Sequence, residues 1–173
     1  IVVATTNKKI DDDICELAKN AGVNYFRGSE SDVLGRVTQA SDRFGAQITV
    51  QLTADNPIVD PLIITDYLKK FKEDAPDFLT NSFIKSYPNG MDISIFKSSF
   101  LRFIEKKATE KSFREHVPLY VKKNINSFNI IQMEASGILK RPELSVTVDE
   151  KKDFILVQKI IESLYDKKND FGC

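Results

Sequence analysis

Two aspartates stand where an α/β protein does its chemistry. The β-branched run Ile48-Thr49-Val50-Gln51-Leu52 leads into Thr53-Ala54-Asp55-Asn56-Pro57, and Leu144-Ser145-Val146-Thr147-Val148 leads into Asp149. Each run places a carboxylate just past a buried strand, at the sheet edge where ligands of open α/β folds collect. On neighbouring strands the two carboxylates would share one hard divalent ion. Mg²⁺ takes one or two protein carboxylates and fills its shell with waters and phosphate oxygens. That donor set suits phosphoryl-type transfer, in which the protein positions groups and neutralises charge. The competing reading is local: Asp55 closes an Asx turn before Pro57, and Asp149 caps the helix that follows. Spacing leaves both open.

Other groups carry the same ambiguity. Arg27-Gly28-Ser29-Glu30 follows a strand and offers donors to an anion, or is a turn leading to a helix cap at Ser31. His116, the single histidine, lies in Arg114-Glu115-His116, where a structural role competes with general-base work. Asn81 and Asp92 either touch a substrate or close turns, and Lys106, Lys107 and Lys111 read as a solvated face.

The elements that must hold these groups alternate. A strand opens the chain at Ile1. Asp11, Asp12 and Asp13 favour a helix N-terminus, and Ile14, Leu17 and Ala18 supply its apolar stripe, predicting a helix over 12–20 that ends at Gly22. A strand over 23–26 follows. Val33, Leu34, Val37, Ala40 and Phe44 then recur at helical spacing before Gly45, and 48–52 is a strand again. Asp60-Pro61 begins the next helix, with Leu62, Ile63, Leu68 and Phe71 turned to the core. This βαβαβα pattern predicts an α/β fold with a mostly parallel sheet and helices on both faces. Beyond it come a strand over 77–80, a turn at Tyr87-Pro88-Asn89-Gly90, a strand over 92–96, and helical stretches over 99–107 and 114–123, the second kinked or started by Pro118. Strands over 128–133 and 144–148 and an amphipathic helix on Phe154, Val157, Ile160, Ile161 and Leu164 close the chain.

Composition limits the partners. A chain of 173 residues predicts one domain, 1–173, with one core. The 25 Lys and Arg against 25 Asp and Glu leave no global field to hold a nucleic-acid backbone. No apolar run approaches the roughly 18 residues of a membrane span. The expectation is therefore a cytoplasmic protein with no nucleic-acid and no membrane partner. Cys15 and Cys173 make neither a disulfide framework nor a metal cluster. A β-branched strand at the first residue, with no lead-in turn, predicts further sequence upstream.

The segments VVATT, FRGSESDVLGR, TADNPIVDP, YPNGMDISIF, REHVPLYV and LSVTVDEKKDF occur in the order seen in the spore-coat polysaccharide biosynthesis cytidylyltransferases. The chain resembles that family, a relative of the acylneuraminate and ketodeoxyoctonate cytidylyltransferases, over nearly its whole length. The resemblance implies a Rossmann-like nucleotidyltransferase fold, N-terminally truncated, that binds CTP and Mg²⁺ over its strand ends. An acceptor oxygen of a sugar or sugar acid would attack the α-phosphate, releasing pyrophosphate and giving a CMP-activated sugar for surface polysaccharide. It makes Asp55 and Asp149 the catalytic, Mg²⁺-holding pair. Arg27, Gly28, Ser29, Asn56, Asn81, Asp92, Arg114, Glu115 and His116 become substrate contacts.

Three positions depart from the family pattern: Gln51 and Ser145 stand where arginine is usual, and Ser94 where glutamate is usual. The family's triphosphate-cradling loop precedes VVATT and has no counterpart here, so the 173 residues alone are expected to lack turnover. Two alternatives remain: a non-catalytic nucleotide-binding homologue, and a metal-dependent glycosyltransferase using a nucleotide-sugar donor. Residues 82–133 are expected to form a dimerisation or acceptor-side segment. Phe83, Ile84, Phe96, Phe100 and Phe103 would supply the surface of a homodimer, since relatives in the wider superfamily pair through this region.

Overall fold

Strand and helix alternate through the first half of the chain as the apolar spacing predicts. The computed structural model describes residues 1–165, which leaves Cys173 outside. Its elements are β1 (Val2–Thr6), α1 (Asp12–Asn20), β2 (Asn24–Gly28), α2 (Val33–Arg43), β3 (Ile48–Gln51), α3 (Pro61–Asp74), β4 (Phe78–Thr80), β5 (Ser94–Lys97), α4 (Ser98–Lys107), α5 (Lys111–Glu115), α6 (Leu119–Lys123), β6 (Ile130–Gln132) and α7 (Lys151–Leu164). β1 and β2 pair in parallel with Val2 opposite Asn24 and Thr6 opposite Gly28. The other strands form a sheet in the order β3-β5-β4-β6, with β4 and β6 parallel. β5 therefore lies between β3 and β4, although β4 precedes it in the chain. No helix among the described residues is long and apolar enough to cross a membrane.

Local chemistry explains both the agreements and the differences. Asp60 caps α3 by accepting from Leu62 N at 2.7 Å, and Pro61 fills the first helical position, where its missing N–H costs nothing. The buried stripe of α3 is Ile63, Tyr67 and Phe71, four residues apart, so Leu62 falls on the outer face and is 65% exposed. Ser31 does not cap α2. Asp32 does, accepting from Gly35 N at 2.9 Å. The stretch 114–123 is two short helices, because Pro118 cannot extend α5 and instead precedes the first residue of α6.

The predicted strand over 144–148 is absent: a single bridge joins Ser145 to Asn89. Its backbone groups go to two different loops. Val146 N donates to Asn89 O at 2.7 Å, while Val148 N donates to Asp55 O at 2.8 Å, so no continuous ladder forms. On α7 only Val157 is buried, and the predicted core residue Phe154 is 57% exposed.

The backbone divides into two compact units, each built from two stretches of chain: Ile1–Thr49 with Phe96–Phe128, and Val50–Ile95 with the segment from Asn129. In the first, Leu34, Leu101, Ile104, Val117 and Val121 are fully buried. The rings of Phe100, Phe103, Phe113, Tyr120 and Phe128 form one connected cluster in the same unit. Cys15 is a buried free thiol on α1. In the second unit, Phe78, Leu79, Ile93 and Ile95 are fully buried, and Tyr67 meets Tyr87 edge-on. Phe96 and Phe100 are core residues, so of the predicted pairing residues only Ile84 and Phe103 present substantial exposed area.

Candidate functional site

The second unit gathers three aspartates from three loops. After β3 the chain turns, with Asn56 N donating to Thr53 O at 3.1 Å. The carbonyl of Asp55 then accepts from Val148 N at 2.8 Å and from Thr147 Oγ1 at 3.2 Å. Asp149 follows directly on the residue bonded to Asp55, so two carboxylates far apart in sequence leave adjoining backbone positions, both exposed. The local alternative for Asp149 is not what the structure contains. Glu150 caps α7, and Asp153 returns the favour to its backbone at 2.8 Å in a reciprocal capping box.

Gly90 explains why the third loop comes so close. Its φ is +100°, and a Cβ there would lie 2.6 Å from Thr147 N, so only glycine lets the Tyr87–Gly90 turn rest on this backbone. The turn feeds into Asp92. Buried Asn81 grips both sides of that residue, donating to Met91 O at 2.8 Å while accepting from Ile93 N at 2.8 Å. Asn81 is thus a backbone brace as well as a cleft residue. Burial, and then the negative charge of Asp55, push the Asp92 carboxyl above the usual carboxylate range, against the pull of Lys85. Asp92 keeps water on one side and loses it on the other.

A polar cleft of about 170 Å³ opens here, lined by Asn81, Lys85, Tyr87, Asn89 and Asp92. Beside the acidic loops lies an apolar hollow of about 470 Å³ walled by Ala54, Pro57, Val148, Phe154 and Ile161. Gln51 Oε1 is buried without a partner at the end of β3. Ser94 is buried beside Thr80, and Ser145 Oγ accepts from Asn89 Nδ2 at 3.4 Å. Among the described residues no three His, Cys, Asp or Glu side chains form a metal cage. Two carboxylates in open loops instead fit Mg²⁺, which keeps waters and phosphate oxygens in most of its shell.

The remaining predicted residues belong to the first unit. Arg27 fastens the loop after β1: Nε donates to Thr6 O at 2.8 Å, Nη1 to Asp12 Oδ1 at 2.6 Å and Nη2 to Lys8 O at 2.6 Å. Gly28 O accepts from Asn7 N at 3.0 Å, and Ser29 Oγ accepts from Asp32 N at 3.2 Å. Arg114 spends all five N–H groups on the protein. Two go to the Asp32 carboxylate at 2.8 and 2.5 Å, one to Glu105 Oε1 at 2.9 Å, and two to the carbonyls of Glu105 and Ala108 at 2.6 and 3.4 Å. Burial alone would raise the Asp32 carboxyl, yet the bonds from Arg114 and Gly35 N hold it below the usual range. Glu115 is exposed at the end of α5. His116, also exposed, sits in the break before α6, its N donating to Ser112 O at 3.0 Å.

Asp32, Gly35 and Glu105 are the residues that sequence reasoning passed over. The motifs SDVLGR and REHV were visible in the sequence, but each already carries an opposite charge of its own, Arg36 and Glu115, so nothing in either segment pointed to the other.

Residues 1–170 match the model of a family described as cytidylyltransferase. Uncharacterized protein MJ1063 of Methanocaldococcus jannaschii is 37% identical over 156 residues, covering 90% of this chain and 63% of that protein, so the chain spans less than two-thirds of this relative's length. The spore coat polysaccharide biosynthesis protein SpsF of Bacillus subtilis is 28% identical over 171 residues, 98% of this chain and 68% of its own. The solved structure of a cytidylyltransferase from Leptospira borgpetersenii superposes with a TM-score of 0.92 at 31% identity, covering 99% of this chain and 71% of that one.

Proposed function

The chain belongs to the cytidylyltransferase family and has its Rossmann-like nucleotidyltransferase fold, and on that premise we propose that its protein transfers CMP from CTP to a sugar or sugar acid for surface polysaccharide synthesis. The observation that supports the reading is the bond from Val148 N to Asp55 O at 2.8 Å, which joins the backbone of Asp55 to the residue before Asp149. These two carboxylates would hold Mg²⁺, which would supply neutralisation of the charge on the triphosphate. The acceptor hydroxyl oxygen attacks the α-phosphorus, the bond to the β-phosphate oxygen breaks, and pyrophosphate leaves while the hydroxyl gives up its proton. Asp92 and Asn81 frame the acceptor in the adjoining cleft, with Asn56 beside the metal pair. Arg27, Gly28 and Ser29 meet the nucleotide from the end of β2. The reading includes a cytoplasmic homodimer paired through residues 82–133, where Ile84 and Phe103 are exposed.

Titration calorimetry with CTP, with and without Mg²⁺, followed by a pyrophosphate-release assay with sugar acids, tests the proposal. Mg²⁺-dependent binding and pyrophosphate are expected from the complete protein. Nucleotide binding without pyrophosphate would point to a non-catalytic homologue. A free nucleoside phosphate released from a nucleotide-sugar would point to a glycosyltransferase. Light scattering that shows only monomer at high concentration would remove the homodimer.

A further inference from the structure

Two of the most specific segments of the chain, SDVLGR and REHV, meet in one device. Asp32 caps α2 through Gly35 N, and the same carboxylate receives two parallel N–H bonds from Arg114. Arg114 is anchored in turn on α4, through the side chain and carbonyl of Glu105. Gly35 is built around this pair: a Cβ there would press on Asp32 Oδ2 and lie 2.9 Å from Arg114 Nη2. The glycine therefore answers to the clamp rather than to a turn.

The clamp holds more than a helix end. β1 and β2 are parallel, and their carboxyl ends at Thr6 and Gly28 are where a fold of this class receives ligands. The turn that leaves Gly28 is tied down from the start of α2 and, through the ion pair of Lys8 with Glu30 at 2.6 Å, from the loop after β1. Asp32 N donates to Ser29 Oγ at 3.2 Å, and Arg36 Nη1 donates to Ser29 O at 2.5 Å. Support therefore runs from α4 through Arg114 to Asp32 and on to Ser29. Arg114 has no N–H left for a phosphate. We propose that Arg114 is a positioning residue: its fork on Asp32 fixes the turn over 28–32 in the place from which it meets the nucleotide. This rests on the nucleotide reading above and replaces the direct substrate contact expected for Arg114. A lysine cannot substitute, because a single ammonium cannot reproduce two parallel bonds to one carboxylate together with three to α4 and its C-terminal end.

The test is CTP affinity, by calorimetry in Mg²⁺, set against thermal stability in the full chain and in Arg114→Lys and Gly35→Ala. Arg114→Lys keeps the charge and Gly35→Ala keeps Arg114 itself. A direct phosphate contact predicts that both still bind. Positioning predicts that both lose affinity about 10- to 100-fold, the range for disturbed supporting residues, when compared at a temperature where each is folded. Unchanged affinity in Gly35→Ala, with wild type binding CTP, overturns the positioning role alone. Should Arg114→Lys not fold, Gly35→Ala decides by itself. Wild type that fails to bind CTP brings down the nucleotide reading, and this proposal with it.

Discussion

The two units handle charge in opposite ways. Around Arg114 each charge meets a partner: the guanidinium is fully bonded, and Asp32 stays ionised in spite of its burial. In the second unit Asp55 and Asp92 are like charges close enough to act on each other, with Asp149 on the adjoining backbone, and burial together with Asp55 raises the Asp92 carboxyl above the usual carboxylate range. Satisfied charges hold a fold together. Unsatisfied ones weaken it and persist where a cation or substrate completes them. The first constellation is scaffold, and the second is where the proposed chemistry would take place.

The largest expected effects test that division directly. Asp55→Asn and Asp149→Asn should each cut cytidylyl transfer by about 10²-fold or more while leaving the urea midpoint unchanged or slightly raised, since Asp55 repels Asp92 and Asp149 is exposed. Arg114→Ala, beyond any loss of nucleotide affinity, should cost about 2–3 kcal/mol of stability, because it strands Asp32 and Glu105 with their charges only partly exposed. Pyrophosphate release and urea unfolding on the same three variants read both quantities. An Asp55→Asn protein that unfolds, or an Arg114→Ala protein with an unmoved midpoint, would abolish the contrast.

Gly90 sharpens it next. Gly90→Ala should cost about 2 kcal/mol or more, since it combines a left-handed backbone with a side chain aimed at the Thr147 amide. Gly22 has φ +67° and nothing within 4 Å of an added Cβ, so Gly22→Ala pays only the backbone term of about 1 kcal/mol. Thermal melts of the pair separate strain from collision. Only Gly90→Ala should also lower Mg²⁺-dependent CTP binding, because only it displaces the backbone that carries Asp149.

Local rules wrote part of this molecule into its sequence and long-range bonds wrote the rest. The helix over 12–20 and the cap at Asp60 were legible because a few neighbouring residues decide them. The segment 144–148 reads as a strand by composition, yet its amides serve Asn89 and Asp55 from remote loops, which periodicity does not register. Asp55 and Asp149 were visible as acids ending apolar runs. The clamp was not, because Asp32 and Arg114 each look like ordinary helix-surface charges until the fold joins them.

A smaller effect separates Asp149 from its neighbour. Glu150 and Asp153 exchange bonds at the start of α7, so Glu150→Ala should cost about 1 kcal/mol of stability. Asp149→Ala should cost little stability and most of the activity. Guanidinium unfolding beside the pyrophosphate assay distinguishes a cap from a ligand. Equal destabilisation by both would return Asp149 to a structural role.

The smallest effect is the sign of a pH dependence, and it runs in opposite directions in the two units. Asp32 titrates below the usual carboxylate range when folded, so its contribution is fully present above that range and is lost as the pH falls through its lowered value. Asp92 titrates above the usual range. The folded state therefore binds its proton more readily than the unfolded chain, and acidification from the raised value down to the ordinary one adds stability. Asp32→Asn should accordingly flatten the acid limb of the stability curve. Asp92→Asn should raise the urea midpoint at pH 7 and lose that advantage once the pH drops below the ordinary carboxylate value. Midpoints for the wild type and both variants from pH 7 to pH 3 carry the comparison. Two limbs moving in the same direction would mean that the acids of the second unit are compensated within the protein, leaving no electrostatic reason for a cation to bind there.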